Sequence, residues 1–273
     1  MAGPLVWNAE ALWLELAPLL PGLTVEVAAR ADSSNTRLLE RARSDATPCL
    51  LVAEAQTAGR GRLGRPWQSQ AGASLTFSLA LPLAPADWSG LSLAVGVALA
   101  DSLEPLTVPP AGPARIGLKW PNDLWLLDAP GRGRKLGGVL IETVAVGTQR
   151  IAVVGVGLNV LPQPAASLDS GFACLRELQA DVNAPGALAS VAAPLLRALL
   201  RFEREGFAPF QPLFSRRDLL RGQAVRTTLA DCPAGVAEGV DAQGALRLRV
   251  AGSLHRIVSG EVSVRPLPEG APC

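Results

Sequence analysis

"QTAGRGRLGRPW", residues 56–67, decides how this chain folds. Gly59, Gly61 and Gly64 have the spacing of a dinucleotide-binding fingerprint, with Arg60, Arg62 and Arg65 beside them. In a Rossmann unit the third glycine opens a helix that packs closely on the preceding strand. Here Gly64 runs into Arg65-Pro66-Trp67-Gln68-Ser69, and no helical period begins until past another apolar strand, so the Rossmann reading fails. A nucleic-acid patch would bring further basic or aromatic neighbours and a basic domain, whereas the formal net charge is +1. Two readings of the stretch remain. It is a mobile surface loop with solvated arginines, or a flexible loop that closes over an anionic ligand, its glycines admitting the ligand to the backbone and its arginines supplying charge.

The bulk properties set the frame. With 273 residues, 49% of them hydrophobic and 18% charged, the chain is too apolar for disorder and long enough for two unequal domains. A net charge near zero gives no global field to hold a polyanion, so no nucleic-acid partner is expected. Cys49, Cys174, Cys232 and Cys273 form no CxxC pair, which argues against zinc and against a disulfide framework and for a reduced, cytoplasmic protein. No apolar run approaches the roughly 18 residues that span a bilayer, and no signal peptide opens the chain, so no membrane partner is expected.

Along the chain, residues 8–20 predict a short helix with Asn8 as N-cap, and a second helix starts after Asp32-Ser33-Ser34-Asn35. "CLLVAEAQ" (49–56) and "ASLTFSLALPL" (73–83) predict strands, and residues 88–106 a buried helix. "RIGLKWPNDLWLL" (115–127), "KLGGVLIETVAV" (135–146) and "RIAVVGVGLNVL" (150–161) predict three more strands, the first two joined by a tight polar connection. Residues 186–205 have a helical period that Pro194 must kink or interrupt. From about residue 219 short alternating segments, with turns at Asp241–Gly244 and Ser259-Gly260, predict a small antiparallel barrel. The expected fold class is α+β: a mixed sheet flanked by helices over residues 1–218, then the barrel over 219–273. Nothing before residue 30 has room for a helix-turn-helix.

Other segments carry polar chemistry. "KWPND" (119–123) sets Lys119, Asn122 and Asp123 about a proline bend, which by itself could be an ordinary turn. Lys135 precedes the Gly137-Gly138 pair, where a ligand could lie on the backbone. Gly157 and Asn159 interrupt an apolar strand, and a buried asparagine must find hydrogen bonds that a ligand could supply. His255, the only histidine, falls in the barrel, and Ser33 and Ser34 have no partner base, which excludes a nucleophilic triad.

Taken in order, Asp32-Ser33-Ser34-Asn35, "QTAGRGRLGRPW", "KWPNDLWL", "KLGGVLIE", "GVGLN" and the terminal "GEVSVR" resemble the biotin protein ligases, over about residues 30–266. The resemblance implies a biotin/lipoate ligase-like catalytic domain followed by an SH3-like barrel. It implies an enzyme that activates biotin with ATP and Mg²⁺ as biotinyl-5′-AMP and transfers it to a lysine of the biotin carboxyl carrier protein of acetyl-CoA carboxylase or a similar domain. It also implies the short type of ligase, with no repressor function. By the same resemblance the biotin rings sit near Ser33, Ser34, Asn35, Gln56 and Gly157, and Lys135 and Gly138 lie along the valeryl tail. Gly59, Arg60, Gly61 and Arg62 belong to a lid that orders over the carboxylate and phosphates. Arg65, Trp67, Asn159 and Arg265 serve the nucleotide, and Lys119, Asn122 and Asp123 lie at the phosphates, metal and incoming amine, the metal being carried mainly by ATP. Pro66 and Ser34 depart from commonly seen forms, and Pro66 should stiffen one end of the lid. Lipoate-protein ligase is the rival family, sharing the acyl-adenylate logic. An exposed strand edge could support a homodimer.

The chemistry explains the cations. A carboxylate attacks the α-phosphorus of ATP, and each like-charge pair at 4 Å costs about 1 kcal/mol in water and about 4 at an effective dielectric of 20. Arg60, Arg62, Lys119 and Lys135 can offset that repulsion, so no protein nucleophile is required. Asp123 is the candidate to orient or deprotonate the acceptor lysine.

Overall fold

The computed structural model describes residues 5–104, 115–129, 132–163, 171–258 and 264–266. The expected turn at Ser259-Gly260 lies outside them. The main sheet holds seven strands: β1 (Thr24–Ala28), β2 (Cys49–Ala53), β3 (Ser74–Pro82), β4 (Ile116–Lys119), β5 (Asp123–Ala129), β6 (Arg132–Val146) and β7 (Gln149–Asn159). Their order is β1-β2-β3-β7-β6-β5-β4, with β1 parallel to β2 and every other pair antiparallel, so the sheet is mixed.

Period-two alternation divides the strand side chains between two buried faces. Leu50, Val52, Phe77, Leu79, Ala152 and Val154 join one core with the helices α1 (Ala9–Leu16), α3 (Leu91–Leu103) and α4 (Ala184–Glu205). Cys49, Leu51, Ala80, Ile151 and Val153 point the other way and pack under Leu38 and Ala42 of α2 (Ser34–Ala42). α2 is only nine residues long and covers part of that second face. Where the start of α2 gives way to open sheet, the register sets Ser78–Gly155–Leu140 under Asn35 and Thr76–Gly157–Gly138 beyond it, across β3, β7 and β6. There the site forms.

Several details differ from expectation. Asn8 has φ 49° and makes no side-chain cap. Ser33 does cap α2, its Oγ accepting from Thr36 N at 3.4 Å. Residues 115–127 are two strands, β4 and β5, folded about the Trp120–Asn122 turn, whose Trp120–Pro121 bond is cis. α4 runs unbroken through Pro194, whose missing N–H the period alone cannot weigh against burial on both sides. By length and composition α4 is long and apolar enough to cross a bilayer, contrary to the expectation that no segment is; in the fold it contacts α1, α3 and β3. Strand β1 was not foreseen.

After the short helix α5 (Gln211–Ser215), a second sheet contains β8 (Ala224–Thr227), β9 (Ala234–Val240), β10 (Leu246–Val250), β11 (Ser253–Ile257) and β12 (Val264–Pro266). It is antiparallel throughout, ordered β11-β10-β9-β8-β12. One buried donor ties it to the main sheet: Trp120 Nε1, in the β4–β5 turn, donates to Gly244 O ahead of β10 at 3.1 Å. In the segment before the second sheet the fully buried Arg217 guanidinium bridges Asp101 and Glu104 at the α3 end at 2.9 Å each.

Candidate active site

The uncovered face of the main sheet is the floor of a cavity of about 590 Å³, walled by the arginine loop, the β4–β5 turn and the start of β12. Every residue the sequence assigns to the site lines it except Gly59, which lines a smaller adjoining cavity behind Trp67.

At one end lies a hydrogen-bonded floor. Ser34 N donates to Gln56 Oε1 at 2.7 Å, Ser78 Oγ lies 2.7 Å from Ser34 Oγ, and Ser78 donates to Asn35 Oδ1 at 2.6 Å. Asn35 Nδ2 gives its two hydrogens to Leu140 O and Glu142 Oε2, at 3.2 and 3.0 Å. A side-chain carbon at Gly155 would stand 2.2 Å from Asn35 Oδ1, so only glycine lets the buried asparagine lie there.

The arginine loop is a miniature hairpin. Arg60 bridges Pro66, Trp67 N donates to Gly59 O at 2.8 Å, and Gly61 N to Arg65 O at 2.7 Å, around a 3₁₀ turn over Arg62–Gly64. Trp67 lies flat across Gly157, where an added carbon would come within 2.5 Å of its ring. Its Nε1, like that of Trp125, is buried without a hydrogen-bond partner among the described residues, and both rings line the cavity. Unpaired buried donors are costly, and a ligand acceptor would satisfy them.

The other end is charged. Lys135 Nζ lies 2.8 Å from Asp123 Oδ1, and Arg62 Nη1 donates to Asn122 Oδ1 at 3.3 Å. Lys119 is 9% exposed and its ammonium sits 5.6 Å from the centre of the Trp125 ring. Burial pulls its pKa down to about 8, a fall that Asp123 opposes and Lys135 reinforces. Burial also lowers the Arg62 pKa. Asn159, whose hydrogen bonds a ligand could have supplied, gives its Nδ2 hydrogens to Ala173 O and Lys135 O within the chain, and it lines the cavity. Arg265 reaches the rim from β12.

Not singled out by the sequence are Thr76, Ser78, Glu142, Gly155, Trp125 and Phe172. Ser78 and Gly155 sit in strands that read as simply apolar, and only the register across β3, β7 and β6 brings them under Asn35. Phe172 reaches the cavity because Gly171–Ala173 pairs with the backbone of Lys135.

Residues 27–159 match the biotin/lipoate A/B protein ligase family, and residues 222–265 match the biotin protein ligase C terminal domain. The biotin--[acetyl-CoA-carboxylase] ligase of Mycobacterium tuberculosis is 36% identical over 245 residues, 87% of this chain and 88% of the relative. The bifunctional ligase/repressor BirA of Escherichia coli is 34% identical over 252 residues, 90% of this chain and 75% of the relative. Among solved structures, the biotin protein ligase from Aquifex aeolicus in complex with biotin and ATP superposes with a TM-score of 0.70 at 30% identity, covering 91% of this chain and 100% of that one. With a shared fold and this identity over nearly the whole length, the chain belongs to the biotin protein ligase family.

Proposed function

We propose that the chain joins biotin to ATP and then to a protein lysine, and that the cavity is the place where both steps occur. One observation carries the reading: a neutral polar floor and six cations, Arg60, Arg62, Arg65, Lys119, Lys135 and Arg265, line one cavity, and among the described residues no serine–base or cysteine–base pair lines it. Such a cavity suits the joining of two anions, with no covalent protein intermediate.

In the first step the biotin carboxylate oxygen attacks the α-phosphorus, the bond to the β-phosphate oxygen breaks, and pyrophosphate leaves. Ser33, Ser34, Asn35 and Gln56 hold the ureido end, Lys135 and Gly138 border the tail, and Arg60 and Arg62 neutralise carboxylate and phosphates. Trp67, Arg65, Asn159 and Arg265 serve the nucleotide. Among the described residues no three His, Cys, Asp or Glu side chains converge. Asn122 and Asp123 would hold a Mg²⁺ brought in on the ATP phosphates, and the ion would supply charge neutralisation there. The mixed anhydride is open to water, so the loop over it also has a protective role.

In the second step the acceptor amine attacks the acyl carbon and AMP leaves. The amine must first lose a proton, which at pH 7 costs roughly 4.6 kcal/mol from a reference pKa of about 10.4. Asp123 Oδ1 lies 2.8 Å from Lys135 Nζ at the charged end of the cavity, and Asp123 is the residue that orients or deprotonates the incoming amine.

The acceptor in this reading is a biotin carboxyl carrier domain, and the setting is cytoplasmic, in keeping with the three free, buried cysteines Cys49, Cys174 and Cys232. The five-stranded sheet is the sheet of an SH3-like barrel, with the domain boundary at residue 218. β1, at the edge of the main sheet, is where a second copy could pair. Labelled pyrophosphate should exchange into ATP with biotin and not with lipoate, and Arg62→Ala should abolish it; exchange driven by lipoate would move the chain to the neighbouring activity.

A further inference from the structure

Arg134 precedes Lys135 on β6, does not line the cavity, and commits its whole guanidinium to the elements around it. Its five N–H groups make five hydrogen bonds: Nε to Asp128 Oδ2 at 3.1 Å, Nη2 to Asp128 Oδ1 at 2.7 Å and to Glu177 Oε2 at 2.9 Å, Nη1 to Glu177 Oε1 at 3.2 Å and to Phe172 O at 3.0 Å. Asp128 belongs to β5, and Glu177 and Phe172 to the segment 171–177 that follows β7. That segment has a particular place in the sheet. β7 pairs with β6 only as far as Leu158–Gly137, so the β6 edge at Lys135 would be bare on that side. Residues 171–173 take it up: Lys135 N donates to Gly171 O at 3.3 Å and Ala173 N to Lys135 O at 2.9 Å, in a parallel bridge that brings Phe172 into the cavity wall. Asn159, which lines the same end, donates to Ala173 O. The segment's backbone lies directly on the arginine's stem, since Gly171 has φ 63° and a carbon added to it would stand 2.7 Å from Arg134 Cγ. An isolated exposed ion pair contributes little. Arg134 is only 35% exposed, engages each carboxylate through two N–H groups and reaches a main-chain carbonyl as well, the geometry in which arginine fixes position.

We propose that Arg134 is a positioning residue for the nucleotide end of the cavity: it fastens the segment 171–177 to the bare edge of β6, so that Phe172 and Lys135 stand side by side in the wall. The contact exists only while the segment lies on β6. It therefore favours that arrangement whether the segment settles before the nucleotide arrives or together with it. Losing the contact weakens any ligand that needs the segment in place, and acts on affinity rather than on the chemical step. The effect on ATP rests on the ligase reading; the fastening of the segment does not. The floor under Asn35 is held by β3, β7 and the middle of β6, away from the contact, so biotin is little affected.

Two variants part a positioning role from a direct one. Arg134→Ala removes the guanidinium, and Glu177→Gln removes the charge that holds it, while a glutamine carbonyl still accepts from Cys174 N as Glu177 Oε1 does at 3.0 Å. In biotin-dependent pyrophosphate exchange by the full chain, each is expected to raise the KM for ATP about two- to tenfold, the range of two partly exposed charge-assisted contacts, with kcat and the KM for biotin unchanged. The double variant goes no further than Arg134→Ala, because both changes break one contact, and Arg134→Lys recovers part of the loss. If Arg134→Ala raises the KM for ATP and Glu177→Gln does not, Arg134 meets the nucleotide itself and the positioning role is overturned. Cys174 supplies a reading without ligand, since its thiol lies within the segment and is 2% exposed. Alkylation by N-ethylmaleimide, followed site by site by mass spectrometry, is expected to quicken in Arg134→Ala by a similar factor at Cys174 and not at the buried Cys49 and Cys232. The Glu177 charge left beside the thiol disfavours the thiolate, so a faster rate reads release of the segment. An unchanged Cys174 rate overturns the fastening. If the wild-type chain exchanges no pyrophosphate with biotin, the ligase reading fails, and the alkylation rates still decide the fastening.

Discussion

Lys135 Nζ lies 2.8 Å from Asp123 Oδ1, and Lys119 faces Asp123 in the register of the β4–β5 hairpin, so one carboxylate serves two ammonium groups. It contacts the first, and through its field it holds up the pKa of the second, which burial has brought down to about 8. Asp123→Asn removes that support. The Lys119 pKa then falls below about 8, and a rate that needs the cationic lysine declines at lower pH than in the wild type. The alkaline limb of the pH profile of pyrophosphate exchange checks this, and an unmoved limb would contradict it.

The same burial predicts a conflict between stability and activity. A lysine titrating at about 8 in the folded chain and near 10.4 when unfolded carries its full burial penalty at pH 7. The penalty lessens as pH rises from about 8 toward 10, because the folded lysine is then neutral while the unfolded one still binds its proton. Lys119→Met should therefore unfold at higher urea at pH 7, by on the order of 1–3 kcal/mol, with the advantage shrinking by pH 10, while adenylation is lost. Equal urea midpoints at pH 7 would count against it.

Much of this site was legible before any coordinates, and the reason is local. Lys119, Asn122 and Asp123 occupy one turn, and Arg60, Arg62 and Arg65 one loop, so their grouping needs no long-range pairing. Glu142 is 82 residues from Arg60 and 107 from Asn35, and in sequence it is one acidic residue at the end of an apolar run. Ser78 is likewise invisible until β3 lies beside β7. The strands themselves read as continuous apolar runs because both faces of the sheet are buried, which hides the alternation that would have said which side chains look into the cavity. Strand β1 was missed for the opposite reason: it is a short edge strand whose Glu26 and Val27 are exposed.

Gly155 tests how closely the floor is built. The 2.2 Å approach to Asn35 Oδ1 leaves no room for a methyl group, and the obstacle is a side chain fixed by Ser78, Leu140 and Glu142. Gly155→Ala must push Asn35 out of place and break the series of hydrogen bonds that sets Ser34. The KM for biotin should rise by roughly tenfold or more, the equivalent of about 1.4 kcal/mol, and the KM for ATP should change less. A proportionate rise in both would mean that the damage is global.

Asp218 gives the stability of the junction between the two sheets its own pH dependence. Its segment is bonded to β4, Leu118 N donating to Arg217 O at 2.7 Å and Leu219 N to Leu118 O at 3.0 Å. Asp218 Oδ1 accepts from Leu220 N at 3.0 Å, but Oδ2 is buried without a hydrogen-bond partner among the described residues. Burial raises the carboxyl pKa to about 6. A carboxyl whose folded pKa exceeds its unfolded value favours the fold while protonated, and that advantage is lost as pH rises from about 4 through 6. Asp218→Asn keeps the oxygen that accepts from Leu220 and removes the charge. The variant should melt higher than the wild type at pH 7.5, by about 2–4 °C for each kcal/mol recovered, and the difference should vanish by pH 4. A difference that persists at pH 4 would trace the effect to packing instead of charge.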